Sequence, residues 1–118
     1  MKKIIRYYSL FLVLMMVGFA AQAKEQTAQF KVYGNCGMCK GRIEKAAKAA
    51  GALTAKWDKE SHMMLVTFED TQTTEEKIQK GIAAVGHDTD LFEAKDKVYK
   101  GLPECCLYDR KKPGEKPV

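Results

Sequence analysis

From Gln26 to Tyr33 polar and apolar residues alternate, with Ala28, Phe30 and Val32 on one face, the period-two pattern of a half-buried strand. Gly34-Asn35-Cys36-Gly37 follows as a loop of residues that tolerate unusual backbone angles. Met38 to Ala50 is alanine-rich, with Ile43, Ala46, Ala47 and Ala50 at helical spacing and Gly51 as a stop signal. So small a buried stripe would let this helix lie close to a sheet. Ala52 to Asp58, with Ala55 and Trp57 inward, and Met63 to Glu69, with Met64, Val66 and Phe68 alternating, read as two strands. The polar turn Lys59-Glu60-Ser61 joins them as an antiparallel hairpin. Thr73 and Glu76 form a Thr-x-x-Glu capping box for a second helix that carries Ile78, Ile82 and Val85 and closes at Gly86. Thr89 to Ala94 reads as a short fourth strand. The order strand, helix, strand, strand, helix, strand predicts an α+β fold, a ferredoxin-like βαββαβ sandwich. It has a four-stranded antiparallel sheet with two helices on one face.

Both ends fall outside that pattern. Lys2, Lys3 and Arg6 precede an uncharged run from Leu10 to Ala21, and Ala21-Gln22-Ala23 offers small residues at the cleavage positions. That order predicts a signal peptide over residues 1–23 and an exported protein, periplasmic by the family resemblance given below; the run is short for a membrane span, with an uncleaved anchor as the alternative. Residues 24–94 hold the predicted domain. Residues 95–118 form a C-terminal extension with a Cys-Cys pair and an expected mobile tail from Arg110.

Composition narrows the function. The 118 residues suit one small domain and leave no room for a two-domain enzyme with an interdomain cleft. Three of the basic groups lie in residues 1–23 with no acidic ones, so the net charge falls from +5 to +2 without them. That balance, with no aromatic-rich basic run, gives no support for nucleic-acid binding. All four cysteines and both histidines lie beyond residue 23.

Cys36-Gly37-Met38-Cys39 sets two sulfurs where a strand passes into the first turn of a helix. The helix N-terminus favours thiolates, and thiolates select Cu(I), Zn(II) and other thiophilic ions over Mg or Ca. Two thiolates on a shallow loop would hold Cu(I) or Hg(II) nearly linearly, open to an incoming third. The same spacing serves thiol–disulfide exchange or a structural disulfide.

FKVYGNCGMCKGRIEKAAKAAG, the hairpin ending in LVTFED, and IQKGIAAVGHDTDLF together resemble the heavy-metal-associated domain family over about residues 27–94. That family includes copper chaperones, N-terminal modules of copper-pumping ATPases and periplasmic mercury-binding proteins. The resemblance implies a ferredoxin-like fold and a soft ion held by Cys36 and Cys39. Cu(I) leads, with Hg(II) or Zn(II) as alternatives. It also implies exchange of that ion with a thiolate-bearing partner, a metal-transporting membrane protein or another carrier. No substrate bond is broken, so no enzyme, catalytic residue or small-molecule substrate is expected, and the chain is expected to act as a monomer. The family's Gly-Met-x-Cys-x-x-Cys is shortened here to Gly34-Asn35-Cys36, and Met38 lies between the cysteines.

Three further residues are candidate ligands. His87 sits where the family often has Tyr, Phe or Lys beside the loop, and reads either as a third ligand or as a ring filling an aromatic slot. Cys105 and Cys106 read as added thiolates at the Cys36/Cys39 site, as a separate ion site, or as an oxidised pair. His62, Met63 and Met64 read as a turn, a surface and a core residue. Lys40, Arg42, Lys45 and Lys48 dot the first helix, with Glu44 and Lys48 expected to pair at i,i+4. The rival to a metal carrier is an exported thiol–disulfide oxidoreductase cycling Cys36 and Cys39.

Overall fold

A computed structural model describes residues 23–111. All of the expected signal peptide but Ala23, and residues 112–118 of the expected tail, lie outside that range. Strand β1 (Glu25–Lys31), helix α1 (Gly37–Ala49), strands β2 (Thr54–Trp57) and β3 (Met63–Glu69), helix α2 (Glu75–Ala84) and a short helix α3 (Asp96–Lys100) follow in order. A 3-10 turn at Glu104–Cys106 ends the series.

The sheet is antiparallel in the order β1-β3-β2. Its register sets Phe30 and Trp57 on either side of Met64, and Ala28 and Ala55 on either side of Val66. These rows are the buried face. A one-residue slip would turn all of them to solvent, so the alternating pattern fixes the pairing. Ile43, Ala46 and Ala47 of α1 and Ile78 and Ile82 of α2 close over that face to form a single core.

The expected fourth strand does not form: among the described residues the sheet has three strands, and Thr89 joins it only by an isolated bridge to Val32. Side chains replace the ladder. Asp90 Oδ2 accepts from Lys31 N at 3.0 Å, Gln79 Oε1 from Leu91 N at 3.0 Å, and Asp88 Oδ1 from Ala94 N at 2.7 Å. Thr89 folds back on Phe92, its amide donating to the Phe92 carbonyl at 2.8 Å. Short polar side chains that bond nearby backbone compete with strand pairing, and here they win.

Two smaller expectations shift. The cap of α2 is Thr74, whose hydroxyl accepts from Lys77 N at 3.2 Å, whereas Thr73 donates to the Ala50 carbonyl at 2.7 Å and ties the helices together. Glu44 pairs with Lys40 at 2.9 Å instead of with Lys48. That pair also closes the end of β2: Glu44 accepts from Trp57 N and Lys40 donates to the Trp57 carbonyl. An edge strand otherwise open to other chains is thereby covered.

Beyond α2 the chain returns across the domain. Gly86 has φ +112, and a Cβ there would lie 2.9 Å from Leu102 Cδ2, so the turn needs glycine both for its backbone and for the packing of Leu102. Tyr108 is buried against it. Its hydroxyl donates to the Gly86 carbonyl at 2.6 Å and accepts from Asp88 N at 2.8 Å. Arg110 forks onto both Asp88 oxygens at 3.1 and 2.8 Å, and Lys111 N donates to Asp88 Oδ2. Arg110 and Lys111, expected in a mobile tail, are therefore bound to the domain.

Asp88 is 1% exposed. Burial alone would raise its pKa, but bonds from Arg110 and from the amides of Ala94 and Lys111 hold it below the usual carboxylate value. Removing one partner of a buried ion pair costs about 3–5 kcal/mol. Arg110→Met should lower stability by that order at pH 7, measured by urea unfolding. The sign of the pH dependence also reverses. In the parent, Asp88 contributes stability that is complete above the unfolded carboxyl value of about 3.9 and is lost as pH falls below it. Without Arg110 the buried carboxylate is disfavoured, so the penalty should be smaller at pH 4 than at pH 7. An equal penalty at both pH values would refute the ion-pair account.

Candidate metal centre

The loop after β1 is held from below. Tyr33 N donates to the Asp88 carbonyl at 2.9 Å, and Trp57 Nε1 to the Val32 carbonyl at 2.9 Å. Gly34 passes so close to the indole that a Cβ would lie 3.1 Å from two ring carbons and 3.2 Å from Cys39 Cβ. The chain then reaches Cys36, which has extended backbone (φ −122, ψ 177) and stands as the cap of α1. Cys39, one turn in, belongs to the core. Cys36 is half-buried, Cys39 buried.

The C-terminal return brings the other two sulfurs to this loop. Pro103 opens the 3-10 turn, where Cys106 N donates to the Pro103 carbonyl at 2.8 Å. Cys106 is buried in the domain core and Cys105 is exposed. From Cys36 Sγ the distances are 3.1 Å to Cys105, 3.6 Å to Cys39 and 3.6 Å to Cys106; Cys105 and Cys106 lie 3.9 Å apart. The sulfurs of Cys36, Cys39 and Cys106 all lie within 4.8 Å of one another. With metal–sulfur bonds near 2.3 Å, a tetrahedral or trigonal centre spaces its sulfurs by about 3.8–4.0 Å, and a linear one by about 4.6 Å. The spacing of Cys36, Cys39 and Cys106 therefore suits a three-thiolate centre, with Cys105 beside it, in place of the open linear pair expected from the loop alone.

Electrostatics sort the four thiols. Cys36 is lowered to about 6, chiefly by the hydrogen bond with Cys105 and next by the Cys39 amide. Once Cys36 ionises, Cys105 is the donor to it, and for that reason Cys105 is itself raised. Burial pushes Cys39 up to about 11. It raises Cys106 as well, against the pull of Cys39 and of Arg42, whose Nη1 donates to Cys106 Sγ at 3.3 Å. Near neutral pH one negative charge resides on Cys36 and three protons remain on the others. A thiophilic cation held by Cys36, Cys39 and Cys106 would displace the protons of Cys39 and Cys106 as it binds.

His87 does not join the cluster. The ligand group among the described residues holds Cys36, Cys39 and Cys106 only. The ring is fully buried, with Nδ1 2.8 Å from the Tyr33 carbonyl and its face stacked on Tyr108 at 5.3 Å. Burial holds its pKa below the usual imidazole value. His62 has φ +64 in the hairpin turn and stacks on Trp57 at 5.8 Å, while Met64 is core. Sequence reasoning placed Arg42 near the loop but missed the Asp88, Tyr108 and Arg110 anchor. Its only trace is an acidic residue after Gly86-His87 and a basic one two places after Tyr108.

Clustered thiols at a strand-to-helix loop of an α+β sandwich make a site that could hold a thiophilic metal ion. No protein-family model matches the chain, and no curated protein does. Solved structures do match. Oxidized MerP from Ralstonia metallidurans CH34 is 28% identical over 56% of this chain and 94% of its own, with a TM-score of 0.53. The CopZ metallochaperone is 24% identical over 54% of this chain and 98% of its own, TM-score 0.52. The N-terminal domain of a potential copper-translocating P-type ATPase from Bacillus subtilis, in the Cu(I)-loaded state, is 19% identical over 64% of this chain and 96% of its own, TM-score 0.53. The latter two speak for the fold alone. The described part of the chain resembles heavy-metal-associated domains, with MerP as the likeness that reaches beyond the fold.

The charge distribution has a direct chemical readout. In reduced, metal-free protein, iodoacetamide should alkylate Cys36 with a midpoint near pH 6, while Cys39 stays unreactive at neutral pH. Cys105→Ala removes the donor that lowers Cys36 most, so the Cys36 midpoint should move up. Mass spectrometry of peptides alkylated between about pH 4 and 9 reads both, and a Cys36 midpoint near the ordinary thiol value of about 8.5 would refute the assignment.

Proposed function

We propose that this protein is an exported carrier that captures a soft metal ion and hands it to a thiolate-bearing partner. Cu(I) is the leading ion and Hg(II) the next, with Zn(II) suited to a four-thiolate arrangement. The observation that carries this reading is the convergence of Cys36, Cys39, Cys105 and Cys106, with neighbouring sulfurs 3.1–3.9 Å apart. The likeness to MerP at 28% identity supports a metal-binding role, and CopZ, which shares the fold, is a metallochaperone by name. The partner is a metal-transporting membrane protein or another carrier, met in the periplasm by a monomer. Export rests on the basic, apolar and small-residue order of residues 1–23. Ligand exchange breaks no substrate bond, so this is a binding function and not an enzymatic one.

Thiol–disulfide exchange stands as the second reading because one observation favours it. Cys36, lowered to about 6, lies 3.1 Å from the thiol of Cys105, an arrangement suited to nucleophilic sulfur. Titrating reduced protein with Cu(I) against a chromogenic chelator, alongside an insulin-reduction assay, separates the two. The carrier reading expects tight one-to-one binding without turnover, weakened about 100-fold or more in Cys39→Ser. Turnover without binding would favour the oxidoreductase instead. His87→Phe should leave Cu(I) affinity unchanged from about pH 6 to 8, the range in which an imidazole titrates; a pH-dependent loss would bring the ring into the site.

A further inference from the structure

We propose that Cys105 is the exchange ligand, the sulfur through which the ion enters and leaves a holding set of Cys36, Cys39 and Cys106. The inference rests on the carrier reading and assigns distinct work to the second pair of cysteines. Adjacent in sequence, with sulfurs 3.9 Å apart, Cys105 and Cys106 differ in exposure. Cys106 is 0% exposed and joins the core, while Cys105 stays in solvent. Cys39 is as buried as Cys106, so an incoming thiolate cannot reach either without unpacking the domain.

One edge of the site is open, and Cys105 occupies it. Its sulfur lies 3.1 Å from Cys36, the holding residue that keeps some exposure, and 3.6 Å from Met38 Sδ. Met38 is 57% exposed and extends the row of soft donors outward. The sulfurs thus run from buried Cys39 and Cys106, through Cys36, to Cys105 and Met38 at the surface.

The step is a ligand exchange without electron transfer. Cys105 loses its proton to solvent and forms a metal–sulfur bond. The bond to Cys39 or Cys106 breaks, and that sulfur takes up a proton in place of the one Cys105 released. The ion keeps its oxidation state and becomes open to a partner thiolate arriving from solvent. Binding therefore gains from burial, while release does not require opening the core.

The test is stopped-flow transfer of Cu(I) from the loaded full chain to excess dithiothreitol, comparing parent, Cys105→Ser and Cys106→Ser. Both substitutions are close in size to the originals, and Cys105 is exposed, so the Cys105 variant keeps the fold. Loss of the exchange ligand should slow transfer about tenfold, and loss of a holding ligand should speed it about tenfold, the two effects having opposite sign. If both variants release faster, Cys105 is one more holding ligand and the inference falls. If Cys105→Ser matches the parent, Cys105 is a spectator and the inference falls equally. A parent that binds no Cu(I) sinks the carrier reading itself, and that result is distinct from either of these.

Discussion

The thiol cluster depends on one buried carboxylate. Asp88, directly after the turn that ends α2, accepts from Arg110, Lys111 and Ala94, and its own backbone meets Tyr33 and the Tyr108 hydroxyl. Tyr33 leads into the loop that carries Cys36 and Cys39, while Tyr108 and Arg110 follow Cys105 and Cys106. Cys36 and Cys106 stand 70 residues apart in sequence and 3.6 Å apart in space. Nothing about cysteine spacing brings them together. They meet because both flanking segments are fastened to the same residue.

That fastening changes what the loop can do chemically. A two-thiolate loop at a helix N-terminus would present both sulfurs to solvent and a partly positive helix end. Here the third and fourth sulfurs come from the same chain, and their thiols serve as donors to the first. Cys36 is thiolate because Cys105 bonds to it, more than because of its place at α1. Among the described residues Arg42 supplies the cationic side chain bonded to a sulfur, and it reaches Cys106, whose ionisation burial opposes. Burial, bonding and charge thus keep one thiolate ready and three protons in reserve.

Much of this framework was legible in the sequence, and the failures share a cause. Strand β3 matches its expected bounds, and α1 and the hairpin differ by a residue or two, because alternating Met64, Val66 and Phe68 or helical Ile43, Ala46 and Ala47 admit one buried face each. The fourth strand failed because period-two reading ignores what Asp88, Thr89 and Asp90 bond to. The cap slipped from Thr73 to Thr74 because Thr73 serves a tertiary bond to Ala50 instead. Cys36 and Cys39 stood out by local spacing. Whether Cys105 and Cys106 lay beside them, and whether His87 did, depended on contacts between distant segments that no local pattern encodes.

The same geometry bears on how thiols survive outside the cytoplasm, where the proposed carrier would work. Disulfide formation needs a thiolate near a second sulfur, and Cys36 with Cys105 meets both conditions. These are also the two most exposed cysteines of the four. A bound ion would hold Cys36 and draw on Cys105 during exchange, so occupancy removes the very nucleophile that an oxidant would use. The buried pair, Cys39 and Cys106, is protected by a different means: both stay protonated and out of solvent without any ion. Packing thus protects two of the three holding sulfurs, and Cys36, the half-buried third, relies on its cargo as Cys105 does.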